Sequence, residues 1–154
     1  MNYRFHGEII MARDEQLKIK WEAVVELLSN RFADGDRLDL DAIIYLVGLQ
    51  ELGQLHRKFK KDEKVNLMHI AICRLLEPFG YYEFDYFDEQ GWPHYKILEQ
   101  LPPLKAGEQS VLMKEAIVLM LNMKKNAFAM IVTFIKKIIL IRVITAQLMA
   151  ANRT

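Results

Sequence analysis

The chain has 154 residues, of which 52% are hydrophobic and 27% charged, with one cysteine and a formal net charge of +1. That length is enough for one domain with a real core, and the composition excludes a disordered charged tail. A single cysteine excludes an internal disulfide framework and a cysteine-ligated zinc site, and near-neutrality argues against a protein that coats nucleic acid generically.

The neutrality hides blocks. Residues 1–55 carry six basic and ten acidic side chains, 56–76 six and two, 77–109 two and seven, and 110–154 seven and one. Such alternation fits blocks that face one another in the fold, or a basic surface set aside for an anionic partner. The lone cysteine makes a reducing compartment the default. No continuous apolar run near the N-terminus ends in a small-residue cleavage site, so a cytoplasmic location is expected.

In chain order, Asp14 is the expected N-cap of a first helix whose apolar stripe is Leu17, Trp21, Val24, Val25, Leu28 and Phe32. Ala33-Asp34-Gly35-Asp36 reads as the turn that ends it. Asp39 or Asp41 caps a second helix over roughly 40–55, apolar around most of its circumference and therefore central. Gly48 and Gly53 within it mark a close helix approach or a frayed end. After a basic connector, His56-Arg57-Lys58-Phe59-Lys60-Lys61, Asp62 is expected to cap a third helix. Its stripe would be Val65, Met68, Ile72, Leu75 and Leu76, and Pro78 and Gly80 stop it.

The period then changes. Tyr82, Phe84 and Tyr86 alternate with Glu83 and Asp85, Asp88-Glu89-Gln90-Gly91 forms a turn, and a return strand starts at Trp92. Pairing Phe87 with Trp92 sets Asp85 opposite His94, Glu83 opposite Lys96, Phe84 opposite Tyr95 and Tyr82 opposite Ile97. Pro93 belongs at an edge of that ladder. Pro102-Pro103 is a break, and Gly107-Glu108-Gln109-Ser110 opens a fourth helix with Val111, Leu112, Ala116, Ile117, Leu119, Met120 and Met123 along it.

Residues 124–154 differ in character. Ten β-branched residues between Ile131 and Thr145 weaken helix propensity, yet no turn signal favours a hairpin, so one long helix is preferred over strands. Lys136, Lys137 and Arg142 in the middle make a membrane span unfavourable, and docking on the domain or a partner is preferred to a membrane surface. The abrupt change in composition also suits an aberrant C-terminus. The fold expected is mainly α with one β-hairpin (α+β): four to five helices packed in one domain over residues 1–123, a hairpin at about 81–99, and an apolar basic tail over 124–154.

Common catalytic motifs are missing. The seven glycines are too scattered for a phosphate loop. Tyr3, Gly53, Asn66 and Gly91 stand three residues before the histidines, so Glu-x-x-His di-iron ligation is excluded. The only serines, Ser29 and Ser110, lie outside a nucleophile-elbow motif. Two pairs have catalytic chemistry in principle. His69 and Cys73 share a helix face, and Asp85 and His94 face across the expected strands. Each also has a plainer reading, as a buried hydrophobe beside a hydrogen-bonded histidine and as a solvent-facing cross-strand pair. No catalytic residue, metal-ligand set or cofactor is therefore assigned.

Two surfaces remain as binding candidates. The hairpin is rich in rings, with Tyr81, Tyr82, Phe84, Tyr86, Phe87, Trp92 and Tyr95, and only one of its faces can pack on the helices. Tyr81, Phe87, Trp92 and His94 are its candidate contacts. The connector offers Arg57, Lys58, Lys61 and Lys64, and three helices followed by a hairpin is the order of a winged helix whose third helix reads nucleic acid. Glu83, Asp85, Asp88 and Glu89 on the wing would repel phosphate.

The runs from Lys61 to Ala71, Pro78 to Phe84 and Gly91 to His94 resemble a family of small uncharacterised bacterial proteins of the Bacteroidota type. The resemblance spans roughly residues 40–120 and does not extend to the tail. It implies a bacterial, cytoplasmic protein and no activity. The preferred functional reading is an interaction or accessory protein that binds a protein partner, or itself, through the hairpin aromatics and the C-terminal helix. A winged-helix-like nucleic-acid binder and a small enzyme using His69/Cys73 or Asp85/His94 are the alternatives.

Overall fold

The computed structural model describes residues 3–54 and 57–126, and the side chains of 14–54 and 57–126. It contains four helices and one two-stranded antiparallel hairpin, the expected α+β class. The expectations for the tail fall largely on 127–154, outside the described residues. The chain divides into two compact units, Met1–Val118 and Leu119–Thr154.

Helix α1 runs Tyr3–Phe32, so Asp14 lies inside it and caps nothing. Between Tyr3 and Arg13 there is no proline and only Gly7 disfavours helix, so nothing stops the helix from starting early. Trp21, Val24 and Val25 are buried as expected, whereas Phe32 is exposed. Ser29 is buried, and its hydroxyl accepts from Leu38 N–H at 3.0 Å. Its carbonyl accepts from Ala33 and Gly35 N–H, which closes the turn. Asp34 and Gly35 have φ of +49° and +92°, a conformation open to Gly and tolerated by Asp. Arg37 then returns to α1 with a bidentate ion pair to Glu22 at 2.8 and 2.9 Å.

Helix α2, Leu40–Leu52, is capped by Asp39, whose carboxylate accepts from Ala42 N–H at 2.8 Å. Replacing it with Ala removes that acceptor and is expected to lower stability by about 1 kcal/mol in chemical denaturation, with Asp39→Asn recovering most of the loss. Gly53 terminates α2 at φ +73°, with its N–H returned to the carbonyls of Leu49 and Gln50.

Helix α3 covers Lys61–Leu76. Asp62 is not its cap: the N-cap is Lys60, two residues earlier than expected, and the Glu63 carboxylate folds back to accept from Lys60 N–H at 2.8 Å. The buried face also differs from the expected stripe. Val65 is 63% exposed, while Leu67, Ile70, Ala71, Cys73, Leu75 and Leu76 are buried. Main-chain contact decides the rotation. A Cβ on Gly48 would sit 2.3 Å from the Leu67 carbonyl oxygen, so α2 and α3 meet backbone to backbone there. α3 is the hub of the first unit, with α2 on one side and the hairpin on another.

A 3-10 turn over Glu77–Phe79 and Gly80 at φ +81° redirect the chain into β1 (Tyr82–Phe87), which pairs antiparallel with β2 (Pro93–Ile97). Helix α4 occupies residues 106–126 and opens with the same device as α3, the Glu108 carboxylate accepting from Lys105 N–H at 2.8 Å. Ala116, Ile117 and Val118 are buried, whereas Val111, Leu119 and Met123 are exposed. The Lys114 ammonium lies 5.6 Å from the centre of the Trp21 ring. Among the described residues no helix is long and apolar enough to cross a membrane.

Candidate functional site

The hairpin register agrees with expectation over its open end. Tyr82 pairs with Ile97, Glu83 with Lys96 and Phe84 with Tyr95. Toward the turn it departs: Tyr86 pairs with His94, and Phe87 with Pro93. Asp85 is an extra, bulged residue. It therefore does not face His94, and its carboxylate instead meets the Lys96 ammonium at 2.9 Å.

A one-residue bulge reverses the faces of everything after it. Tyr86 moves to the polar side and stacks on the His94 ring, 4.7 Å between centroids and 4° between planes. Phe87 moves to the apolar side, where its ring meets Phe84 at 4.9 Å, and Phe84 in turn meets Tyr95 edge-on at 6.0 Å. The apolar face is thereby extended to the turn. Its inner members are covered: Pro93 is buried, and Tyr82 and Tyr95 are half-buried; Tyr81, just before β1, is half-buried as well. The outer ones are not, with Phe84 39%, Phe87 61% and Ile97 67% exposed.

The turn is held by Asp88. One carboxylate oxygen accepts from the backbone N–H groups of Gln90 and Trp92, both at 2.9 Å, and the other from His94 Nε2 at 2.9 Å. The hydrogen bond from His94, seconded by Trp92, holds the Asp88 carboxyl below its ordinary range. His94 is thus a clasp on the turn, paired with a carboxylate different from the one expected.

Beside the turn lies a cleft of about 380 Å³ lined by Glu63, Asn66 and His69 of α3 and by Asp88, Gln90, Trp92 and His94. It brings His69 and His94 to one place, although sequence spacing paired each with another residue. Its carboxylates are already engaged. Glu63 holds Lys60 N–H and the Arg57 guanidinium, and Asp88 holds the turn. Cys73 Sγ lies 3.6 Å from His69 Nε2, yet the thiol is fully buried and burial pushes its pKa up to about 11, so it stays protonated at neutral pH. Among the described residues no three His, Cys, Asp or Glu converge to hold a metal ion.

The connector is only partly free for a phosphate. Arg57 is ion-paired to Glu63 and lies 5.0 Å over the Phe59 ring, which meets Trp92 edge-on at 6.4 Å. Lys58, Lys61 and Lys64 are exposed. The eight binding candidates drawn from hairpin and connector therefore differ in role: Trp92 and Arg57 tie the two segments together through Phe59, and Phe87 faces solvent. Phe84 and Ile97 were not singled out as contacts by sequence.

No family model, curated protein or solved structure matches this chain.

Proposed function

We propose that this chain is a bacterial interaction or accessory protein that engages a protein partner through the apolar face of its hairpin. The observation that supports the reading is the run Phe84, Phe87 and Ile97, which the bulge at Asp85 aligns on one face and leaves exposed. Burying a fully exposed side chain of this size contributes about 1.5–3 kcal/mol, and the part of Phe84, Phe87 and Ile97 still in water gives the face a share of that to release on association. The test is a benzophenone amino acid placed at Phe87 of the full chain and irradiated in cells. A discrete heavier protein adduct is expected, absent when the same probe stands at exposed Gln16 on α1. No adduct, or the same adduct from both positions, overturns the reading. Exposed Lys58, Lys61 and Lys64 favour nucleic acid as the second reading. A size-exclusion peak whose 260 nm absorbance is raised and falls after nuclease treatment would replace the first with it.

A further inference from the structure

The hairpin has two outer edges, and they differ. Leu98 N–H donates to the Tyr81 carbonyl at 2.9 Å, so along β2 the N–H and C=O of Lys96 point inward to β1 and those of Tyr95 and Ile97 point outward. The same alternation turns Phe84 N–H away from β2, and there the Glu77 carboxylate accepts it at 3.2 Å, which closes the β1 edge at that residue. On β2, neither Tyr95 nor Ile97 has a partner for its outward N–H or C=O among the described residues. Pro93, with no N–H to offer, faces outward as well and ends the usable edge. Trp92, Pro93, His94 and Tyr95 line the cleft beside the turn and no residue of β1 does, so open space runs along this edge, and Ile97 beyond it is 67% exposed. Unpaired main-chain groups in an extended array are matched by another extended main chain. A second copy of this chain fits poorly. Antiparallel self-pairing through both residues sets Lys96 directly opposite its own counterpart, and the register centred on Tyr95 sets Ile97 opposite Pro93, which cannot donate. We infer that the outer edge of β2 takes up an extended segment of a partner protein as a third strand, bonded to Tyr95 and Ile97 and continuing the face of Phe84 and Ile97 with its own alternate apolar side chains, a mode of binding that rests on the protein-partner reading above.

Amide hydrogen exchange of the purified full chain tests the edge. Tyr95 and Ile97 are expected to exchange about tenfold faster than Lys96 and Leu98, whose N–H groups belong to the ladder, and to do so at low and high protein concentration alike. Protection of Tyr95 and Ile97 at every concentration means that the chain covers its own edge, and protection that grows with concentration assigns the edge to a second copy; either overturns the inference. The benzophenone adduct from Phe87 in cells tests the occupant. Ile97→Pro removes an N–H that the ladder does not use, whereas Ile97→Thr alters the same side chain and keeps that N–H. Adduct yield is expected to be about fivefold lower in Ile97→Pro than in Ile97→Thr, with circular dichroism verifying that both are folded. Equal yields from the two variants overturn strand addition and leave the hairpin reading standing. No adduct even from the chain with Ile97 intact overturns both. The exchange measurement decides the edge whether or not Ile97→Pro folds.

Discussion

Gly48→Ala is expected to lower the unfolding free energy by about 3 kcal/mol or more, although alanine is the better helix former by about 1 kcal/mol. The new methyl would lie 2.3 Å from the Leu67 carbonyl oxygen and 2.8 Å from its carbonyl carbon. Both are main-chain atoms of α3, so no side-chain rotation relieves the overlap and the helices must separate. Separation uncovers the most tightly packed part of the first unit, where Ile43 and Leu67 are fully buried. Trimming Leu67 to Ala in the same chain should not rescue the variant, because the obstruction is backbone. The double variant should instead lose a further 2–5 kcal/mol for the cavity. Urea denaturation of the single and double variants decides it: a Gly48→Ala midpoint equal to or above wild type would show that α2 and α3 do not meet at this closeness.

A second large effect is expected in alkali. Burial pushes the Cys73 thiol from its ordinary 9.0 up to about 11. Burial, aided by the carboxylates of Glu51 and Glu77, pushes the Tyr95 phenol from 10.0 up to about 12. Both groups are neutral when protonated, and the folded state favours that form. Below pH 9 folded and unfolded chains are alike in protonation, and the full stability is present. Between pH 9 and 11 the unfolded thiol releases its proton and the folded one does not. The unfolded state is thereby favoured, and Tyr95 repeats this between pH 10 and 12. At about 1.4 kcal/mol for each pKa unit, the two together amount to at most about 5 kcal/mol, comparable with the whole stability of a small domain. Urea midpoints should therefore be flat to pH 9 and fall steeply above it. Cys73→Ala should start lower, for its cavity, and fall less between pH 9 and 11. Tyr95→Phe should fall less between pH 10 and 12. An unchanged slope in both variants would place the alkaline loss elsewhere.

Much of this molecule is written locally. Asp39 before an apolar run, Gly80 after one, and Asp34-Gly35 between two are signals whose physics is confined to a few adjacent residues, whereas Gly53, expected within a helix reaching about residue 55, ends α2 at Leu52. The alternation of Tyr82 to Tyr86 and the turn at Asp88 are local in the same sense, and they carry the hairpin and half of its register. Caps formed by a side chain reaching backward are harder to see. Glu63 and Glu108 each bond the N–H three residues before them, which moves the start of α3 away from Asp62 and hides the equivalence of the two helix openings.

What the sequence by itself determined is the class of the fold and the order of its elements, because periodicity, capping and turn chemistry act over one or two turns of chain. Tertiary structure alone decided three things. Which arc of α3 is buried follows from the meeting of Gly48 with the Leu67 backbone, a contact between elements that leaves Val65 outside. The partner of His94 follows from the bulge at Asp85, which substitutes Asp88 for the expected carboxylate. The exposed apolar face follows from both together. A strand records which residues alternate, but only an inserted residue can turn Phe87 onto the side of Phe84, and only the helices packed beneath decide which of those rings stay in water.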